Sequence, residues 1–227
     1  MGAIEEEAGE EYSLALRRVA HVGTVEGVEE LLLRTNDGTL EVRFHPTATE
    51  AAAVVWVGGA GGGLDGPAGG LYLRLASQLV EHGVASFRLH YRYPNQLLSC
   101  VMDTLLGTAY LEALGYSGIV LVGHSFGGAV VISAGSLSEA VVGVVAMSSQ
   151  TYGTDAVSEL NRRPLLLLHG TADEILPDAC SRDIYRRAEQ PKDIILCPGC
   201  RHGLDECRDQ VDQDVVKWIL KTFEREQ

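Results

Sequence analysis

The segment around Ser125 has the residue types and spacing of a catalytic nucleophile. An apolar run, Ile119–Val122, leads through Gly123-His124-Ser125-Phe126-Gly127 into a predicted helix. Glycines two positions before and after a serine permit the sharp strand-to-helix turn that exposes the hydroxyl, and amides at the helix start favour an oxyanion. The pattern therefore predicts acyl-transfer chemistry at Ser125, with the Phe126 amide as an oxyanion donor. The alternative is an ordinary glycine-rich turn whose serine has no chemical role.

A serine hydroxyl reacts at neutral pH only with a base, and the base needs an acid to orient it. Two later segments carry such groups. Asp173 follows the apolar run Leu165–His169, and His202 lies in a loop near the end of the chain. Glu174 is the alternative acid, and Asp173 could instead cap a helix or be solvated. His169, at the end of its strand, is interpreted as structural.

The glycine-flanked Ser125, the segment His169-Gly170-Thr171-Ala172-Asp173 and the late His202-Gly203 occur in this order. Together they resemble the α/β-hydrolase superfamily, nearest to its compact, lidless members such as dienelactone-hydrolase-like and carboxylesterase-like proteins. The resemblance covers Val28 to Phe223. It implies that Ser125 is the nucleophile, His202 the base and Asp173 the acid. Dienelactone hydrolases use a cysteine nucleophile, so Ser125 argues against that activity.

A second oxyanion donor is expected from the glycine-rich run Gly58–Gly63, which follows the third predicted strand. The resemblance places the donor at the Ala60 amide, with Gly59 as the next candidate. Many relatives have histidine where Gly58 stands, which leaves the choice between the two amides open. A flexible loop without a role is the alternative. A phosphate-binding loop is disfavoured because no Lys-Ser/Thr pair follows the run.

Short apolar runs alternate with amphipathic stretches, which predicts βαβ units and an α/β fold. We expect a three-layer sandwich: a mostly parallel sheet with helices on both faces and an antiparallel hairpin at the N-terminus. The predicted strands are Val28–Arg34, Leu40–Phe44, Ala51–Val57, Val84–Leu89, Gly118–Val122, Val141–Met147, Leu165–His169 and Asp193–Cys197. The predicted helices are Gly69–His82, Leu97–Leu114, Phe126–Gly135, Asp178–Arg187 and Asp209–Phe223. Residues 1–27 are expected to form an acidic tail and lead-in, and 28–227 a single domain without a lid.

The net charge of −13 disfavours nucleic-acid partners, because binding a phosphate backbone needs a surplus of Lys and Arg. No apolar run is long enough for a membrane span, and the acidic start Met1–Glu11 lacks the features of a signal peptide. The odd number of five cysteines is unlike a secreted disulfide framework and favours reduced thiols. We therefore expect a cytoplasmic protein, either monomer or homodimer, without a membrane partner.

A competing interpretation concerns Cys197-Pro198-Gly199-Cys200-Arg201-His202 with Cys207, whose spacing resembles a CxxC zinc site. A second knuckle is missing, and zinc would take His202 away from Ser125. We therefore expect neither a metal nor another cofactor.

These residues predict a serine hydrolase that cleaves a small ester or thioester through an acyl-enzyme, with a small-molecule acyl compound as its substrate. Two alternatives stay open. One is a C–C or C–X bond hydrolase or lyase that uses the same triad. The other is a catalytically silent ligand-binding protein on the same fold.

Overall fold

The computed structural model describes residues 13–48 and 51–225, which form a nine-stranded sheet with five α-helices. The strands are β1 (Leu16–Val25), β2 (Val28–Thr35), β3 (Gly38–His45), β4 (Ala52–Val57), β5 (Val84–His90), β6 (Gly118–His124), β7 (Val141–Met147), β8 (Leu165–Gly170) and β9 (Lys192–Cys197). The helices are α1 (Pro67–Glu81), α2 (Leu97–Ala113), α3 (Phe126–Leu137), α4 (Ala179–Arg187) and α5 (Arg208–Glu224). None of the helices in this part of the chain is long and apolar enough to cross a membrane.

The strand order is β1-β2-β3-β5-β4-β6-β7-β8-β9. The four strands at the N-terminal side, β1, β2, β3 and β5, pair antiparallel in that order. The other neighbouring pairs, from β5 through β4 to β9, are parallel. The predicted mostly parallel sheet and the predicted β2–β3 hairpin, which turns between Thr35 and Gly38, are confirmed.

The sheet begins earlier in the chain than the sequence predicted. Part of the expected lead-in, Leu16–Val25, is strand β1 and pairs with β2 along its whole length. This edge strand has mostly exposed or half-buried residues, so it lacks the apolar run that marks the inner strands. Leu16 and Val19 still pack against the core. The predicted acidic tail, Met1–Glu11, lies outside the described residues.

The parallel strands are buried on both faces, as their continuous apolar runs predict. In β4, Val55 packs in the cluster that contains residues of α2 and α3, whereas Trp56 packs in the cluster that contains residues of α1 and α5. The predicted three-layer arrangement is therefore confirmed.

The loops of interest leave the same edge of the sheet. Parallel strands place their carboxyl ends together, and open α/β sheets bind ligands outside those ends. Strand β4 leads into the run Gly58–Gly63, β6 into Ser125, β8 into the loop of Asp173, and β9 into the loop of His202. The topology therefore gathers residues that are far apart in the sequence.

Candidate active site

Ser125 occupies a strained turn between β6 and α3. Its φ of 59° and ψ of −119° lie in a region that residues other than glycine rarely adopt. The turn is possible because the backbone segments on either side of it approach closely at glycines, which have no side chain to obstruct the contact. A Cβ atom at Gly123 would clash with the carbonyl oxygen of Gly127, and a Cβ atom at Gly127 would clash with that of Gly58. The elbow therefore requires glycine at both positions.

Ser125, His202 and Asp173 are brought together in one hydrogen-bonded line. The Ser125 Oγ lies 3.0 Å from His202 Nε2, and His202 Nδ1 lies 2.8 Å from Asp173 Oδ2. Because the carboxylate can only accept, we assign the proton to Nδ1, which leaves Nε2 free to accept the serine proton. The side chain of His202 is 16% exposed and that of Asp173 is fully buried. The imidazole ring of His202 can therefore reach solvent while the carboxylate of Asp173 cannot.

The surroundings of Asp173 favour its ionised form. Burial works to raise the pKa of this carboxyl group, but hydrogen bonds from the Leu176 amide, the His202 ring and the Ile175 amide outweigh burial and lower the pKa. Oδ1 accepts from the amides of Leu176 and Ile175 at 2.8 and 2.9 Å. The adjacent Glu174 accepts instead from the main-chain amide of His202 at 3.2 Å. Asp173 is thus the acid that contacts the imidazole ring.

Two of the three amides expected to form the oxyanion hole, those of Phe126 and Ala60, donate no hydrogen bond within residues 13–48 and 51–225. Gly59 instead pairs with Gly62 in an isolated antiparallel bridge. Gly59 lies against the nucleophile, because a Cβ atom there would be 3.5 Å from the Ser125 Cβ. Ala60 is exposed at the tip of the turn, which the Gly62 amide closes by donating to the Gly59 carbonyl at 2.9 Å.

His90, at the end of β5, holds the other side of this glycine-rich turn. The Gly63 amide donates to His90 Nδ1 at 2.7 Å. Two residues further on, Arg92 is buried and its Nε lies 2.5 Å from the buried carboxylate of Asp103. The loop after β5 is therefore anchored beside this glycine-rich turn. The sequence marks these residues only as polar groups at a strand end.

His124 is a contact residue that the sequence pattern did not single out, because the position before the serine tolerates many side chains. Its Nε2 lies 2.9 Å from the carbonyl oxygen of His202, and the two rings are 4.8 Å apart. Burial is the main cause that lowers the pKa of His124 to about 4. A neutral His124 therefore donates its Nε2–H to the backbone of the loop that carries the base.

The cysteines depart from the expectation of five reduced thiols. Cys200 and Cys207 form a disulfide, with their Cα atoms 6.0 Å apart, while Cys100, Cys180 and Cys197 are free. The loop between the pair folds back through a 3₁₀ turn at Asp205–Cys207, which the sequence spacing alone does not reveal. Neither bonded sulfur is a thiolate ligand in this state, and the described residues contain no cluster of metal-binding side chains.

Comparisons with known proteins agree with this architecture. No family model matches the chain. The curated relatives found include an uncharacterized protein, YfhR, of Escherichia coli K12, which is 32% identical over 74 residues. That match spans 31% of this chain and 26% of the relative.

Solved structures match far more of the chain. Est1E from Butyrivibrio proteoclasticus has a TM-score of 0.74 at 15% identity, and a dienelactone hydrolase from Anabaena variabilis has 0.75 at 16%. An α/β serine hydrolase homologue from Coxiella burnetii has 0.71 at 17%. Each match covers 86% of this chain and 99% of the other. The chain has the α/β-hydrolase fold. In this fold the Ser125 elbow lies at the carboxyl end of a central strand, where the resemblance of the motifs placed it.

Proposed function

We propose that this chain is a serine hydrolase that cleaves a small ester or thioester through an acyl-enzyme at Ser125. The line from Ser125 Oγ to His202 Nε2 to Asp173 Oδ2, with contacts of 3.0 and 2.8 Å, carries the proposal. A nucleophile, a base and an orienting acid within hydrogen-bond reach are the parts that acyl transfer requires.

In the first half of the reaction, His202 Nε2 accepts the proton of Ser125 as the oxygen attacks the carbonyl carbon. The imidazolium that forms is stabilised by the ionised Asp173. The amides of Phe126 and Ala60, or of Gly59 in place of Ala60, receive the negative charge that develops on the carbonyl oxygen. His202 then gives its proton to the leaving alcohol or thiol, which leaves an acyl group on Ser125.

In the second half, His202 takes a proton from water, and the hydroxide equivalent attacks the acyl carbon. The same amides stabilise the second tetrahedral intermediate. Its collapse returns the proton from His202 to Ser125 Oγ and releases the acid. The positive φ of Ser125 serves both halves, since it holds Oγ away from the sheet.

Labelling with a fluorophosphonate probe followed by peptide mapping tests the proposal. We expect one adduct, on Ser125, and turnover of p-nitrophenyl esters of short acids or of matched thioesters. Ser125→Ala should lose the label and the turnover, and His202→Ala should lose the turnover. The exposed Ser77→Ala, on α1, serves as the matched control and should behave like wild type. A label that persists in Ser125→Ala, or a wild type that takes no label, would contradict the proposal.

A further inference from the structure

A second histidine lies against the acid of the triad. His169 ends β8 and its side chain is fully buried. Its Nε2 lies 3.0 Å from the carbonyl oxygen of Leu176 and 3.1 Å from Asp173 Oδ2, and its Nδ1 lies 2.7 Å from Ser181 Oγ. Both neighbours of Nε2 only accept hydrogen bonds, so Nε2 carries a proton. In the neutral ring, the Ser181 hydroxyl therefore donates to Nδ1.

The oxygen that His169 contacts is the one that accepts from His202. Asp173 Oδ2 lies 2.8 Å from His202 Nδ1 on one side and 3.1 Å from His169 Nε2 on the other. Its partner oxygen, Oδ1, is held by two main-chain amides. A fully buried carboxylate needs such donors around it. His169 adds a polar N–H group beside this carboxylate: Nε2 lies 3.1 Å from Oδ2, although its hydrogen bond goes to the Leu176 carbonyl oxygen.

We propose that His169 is a positioning residue of the proposed triad, which keeps the Asp173 carboxylate turned toward His202 Nδ1 through the electrostatic contact between its polar Nε2–H group and Asp173 Oδ2. The Leu176 carbonyl, which accepts from Nε2, fixes the tautomer of His169, and the Ser181 hydroxyl holds the other side of the ring at Nδ1. This role rests on the proposed hydrolase function, because it matters only if His202 acts as a base. It differs from a purely structural role, which would require only that the ring fill its site.

Two amide substitutions separate these roles. The side-chain nitrogen of glutamine can occupy the place of His169 Nε2, whereas the shorter asparagine can occupy only that of Nδ1. His169→Gln therefore keeps an N–H group beside Asp173 and the Leu176 carbonyl, and His169→Asn keeps only a partner for Ser181. We expect His169→Asn to lower kcat roughly tenfold, the effect of losing one polar contact beside a charged group. His169→Gln should stay within about fivefold of wild type, and KM should not change in either, since His169 does not touch the substrate.

Proton NMR gives a readout that does not depend on substrate. The proton on His202 Nδ1, shared with Asp173, should resonate far downfield in wild type and disappear in His202→Gln. We expect this resonance to move or broaden in His169→Asn and to return in His169→Gln. Equal kcat and an unchanged resonance in the two folded amide variants would overturn the proposal.

Should an amide variant fail to fold by circular dichroism, Ser181→Ala decides the question. This substitution keeps the ring and its Nε2–H but removes the hydroxyl that holds the ring in place through Nδ1. We expect a shifted His202 resonance and a severalfold lower kcat at unchanged KM, and wild-type values for both would overturn the proposal. The two hypotheses fail separately. A wild type without labelling or turnover would reject the hydrolase, whereas the NMR changes test, without substrate, whether His169 holds Asp173 against His202.

Discussion

The imidazole of His124 donates its Nε2–H to the carbonyl oxygen of His202 at 2.9 Å, so the residue before Ser125 holds the backbone of the loop that carries His202. Ser125 Oγ itself lies 3.0 Å from the ring of His202. The strand that ends in the nucleophile and the loop that carries the base are therefore joined twice, once through each of two adjacent residues. The distance between nucleophile and base depends on both contacts.

Replacing His124 should impair the chemical step. His124→Leu removes the donor and leaves the His202 carbonyl without it, and we expect kcat for ester hydrolysis to fall roughly tenfold. His124→Gln, which can keep a donor near the same place, should recover most of the rate. Steady-state kinetics on the two variants measure the difference. The exposed His82→Leu is the control, and an unimpaired His124→Leu would show that the contact does not position the base.

The disulfide between Cys200 and Cys207 should contribute to stability more than to activity. It closes a loop around His202, and closing such a short loop stabilises a protein by about 2 kcal/mol in the chain-entropy view. The double variant Cys200→Ser with Cys207→Ser should therefore lower Tm by roughly 4–8 °C. The double variant should keep most of its hydrolytic activity at room temperature, because Asp173, Glu174 and His124 still hold His202.

Thiol titration under denaturing conditions checks the pairing directly. Of the five cysteines, three are free, so three thiols should react before reduction and five afterwards. Cys180→Ser, which removes a free and half-buried thiol, is the matched control for the melting experiment. Five reactive thiols in the untreated protein would show that the bond does not form in solution.

The meeting of Ser125, His202 and Asp173 could be predicted from the sequence because each of these residues follows a strand with a strong apolar run. Parallel strands bring their carboxyl ends to one edge, so residues such as Ser125 and His202 meet although they are far apart in the chain. The turn at Ser125 was the easiest feature to predict, because close backbone contacts require glycine at positions 123 and 127. The order of these residues along the chain and the parallel topology were sufficient to predict that they lie close together.

Other features could not be read because they depend on tertiary geometry. Strand β1 is half-exposed and has no apolar run, so only its pairing with β2 reveals it. The bond between Cys200 and Cys207 depends on how one loop folds back on itself. His124 and His169 owe their contacts with the triad to the packing of β6 and β8 against neighbouring loops. A sequence pattern identifies the residue type at such positions but does not predict which atoms its side chain contacts.

Substituting Asp103 with asparagine or alanine should show how much the anchoring of the loop after β5 contributes to the free energy of unfolding. Asp103 accepts from both the main-chain amide and the guanidinium of Arg92, whose side chain is 1% exposed. Removing one member of a buried ion pair leaves the other charge uncompensated, which costs 3–5 kcal/mol in typical cases. Because Arg92 also contacts Asp37 at 2.7 Å, we expect the lower end, about 3 kcal/mol, for Asp103→Ala and less for Asp103→Asn. Urea denaturation measures both, and a loss below about 1 kcal/mol in Asp103→Ala would contradict the anchoring role.

Acid should weaken the fold through two histidines that are held neutral. Burial is the main cause that lowers the pKa of both His45 and His124 from 6.5 to about 4, and for His45 the nearby Arg88 guanidinium adds to it. His45 Nε2 also accepts from Arg88 Nε at 3.2 Å, which requires an unprotonated nitrogen. The unfolded chain takes up protons at these residues near pH 6.5, whereas the folded chain does so only near pH 4. Between these values the unfolded state binds more protons, so the free energy of unfolding rises with pH and falls on acidification.

We expect each histidine to account for about 2 kcal/mol of this loss between about pH 7 and pH 4.5, a figure reduced from the full shift to allow for solvent screening. Urea denaturation of wild type, His45→Gln and His124→Gln across that range measures the slope. Each variant should show a flatter dependence on pH than wild type, because glutamine does not titrate in either state. The exposed His82→Gln serves as the matched control for the substitution itself. Parallel curves for wild type and both buried-site variants would mean that neither histidine is kept neutral by the fold.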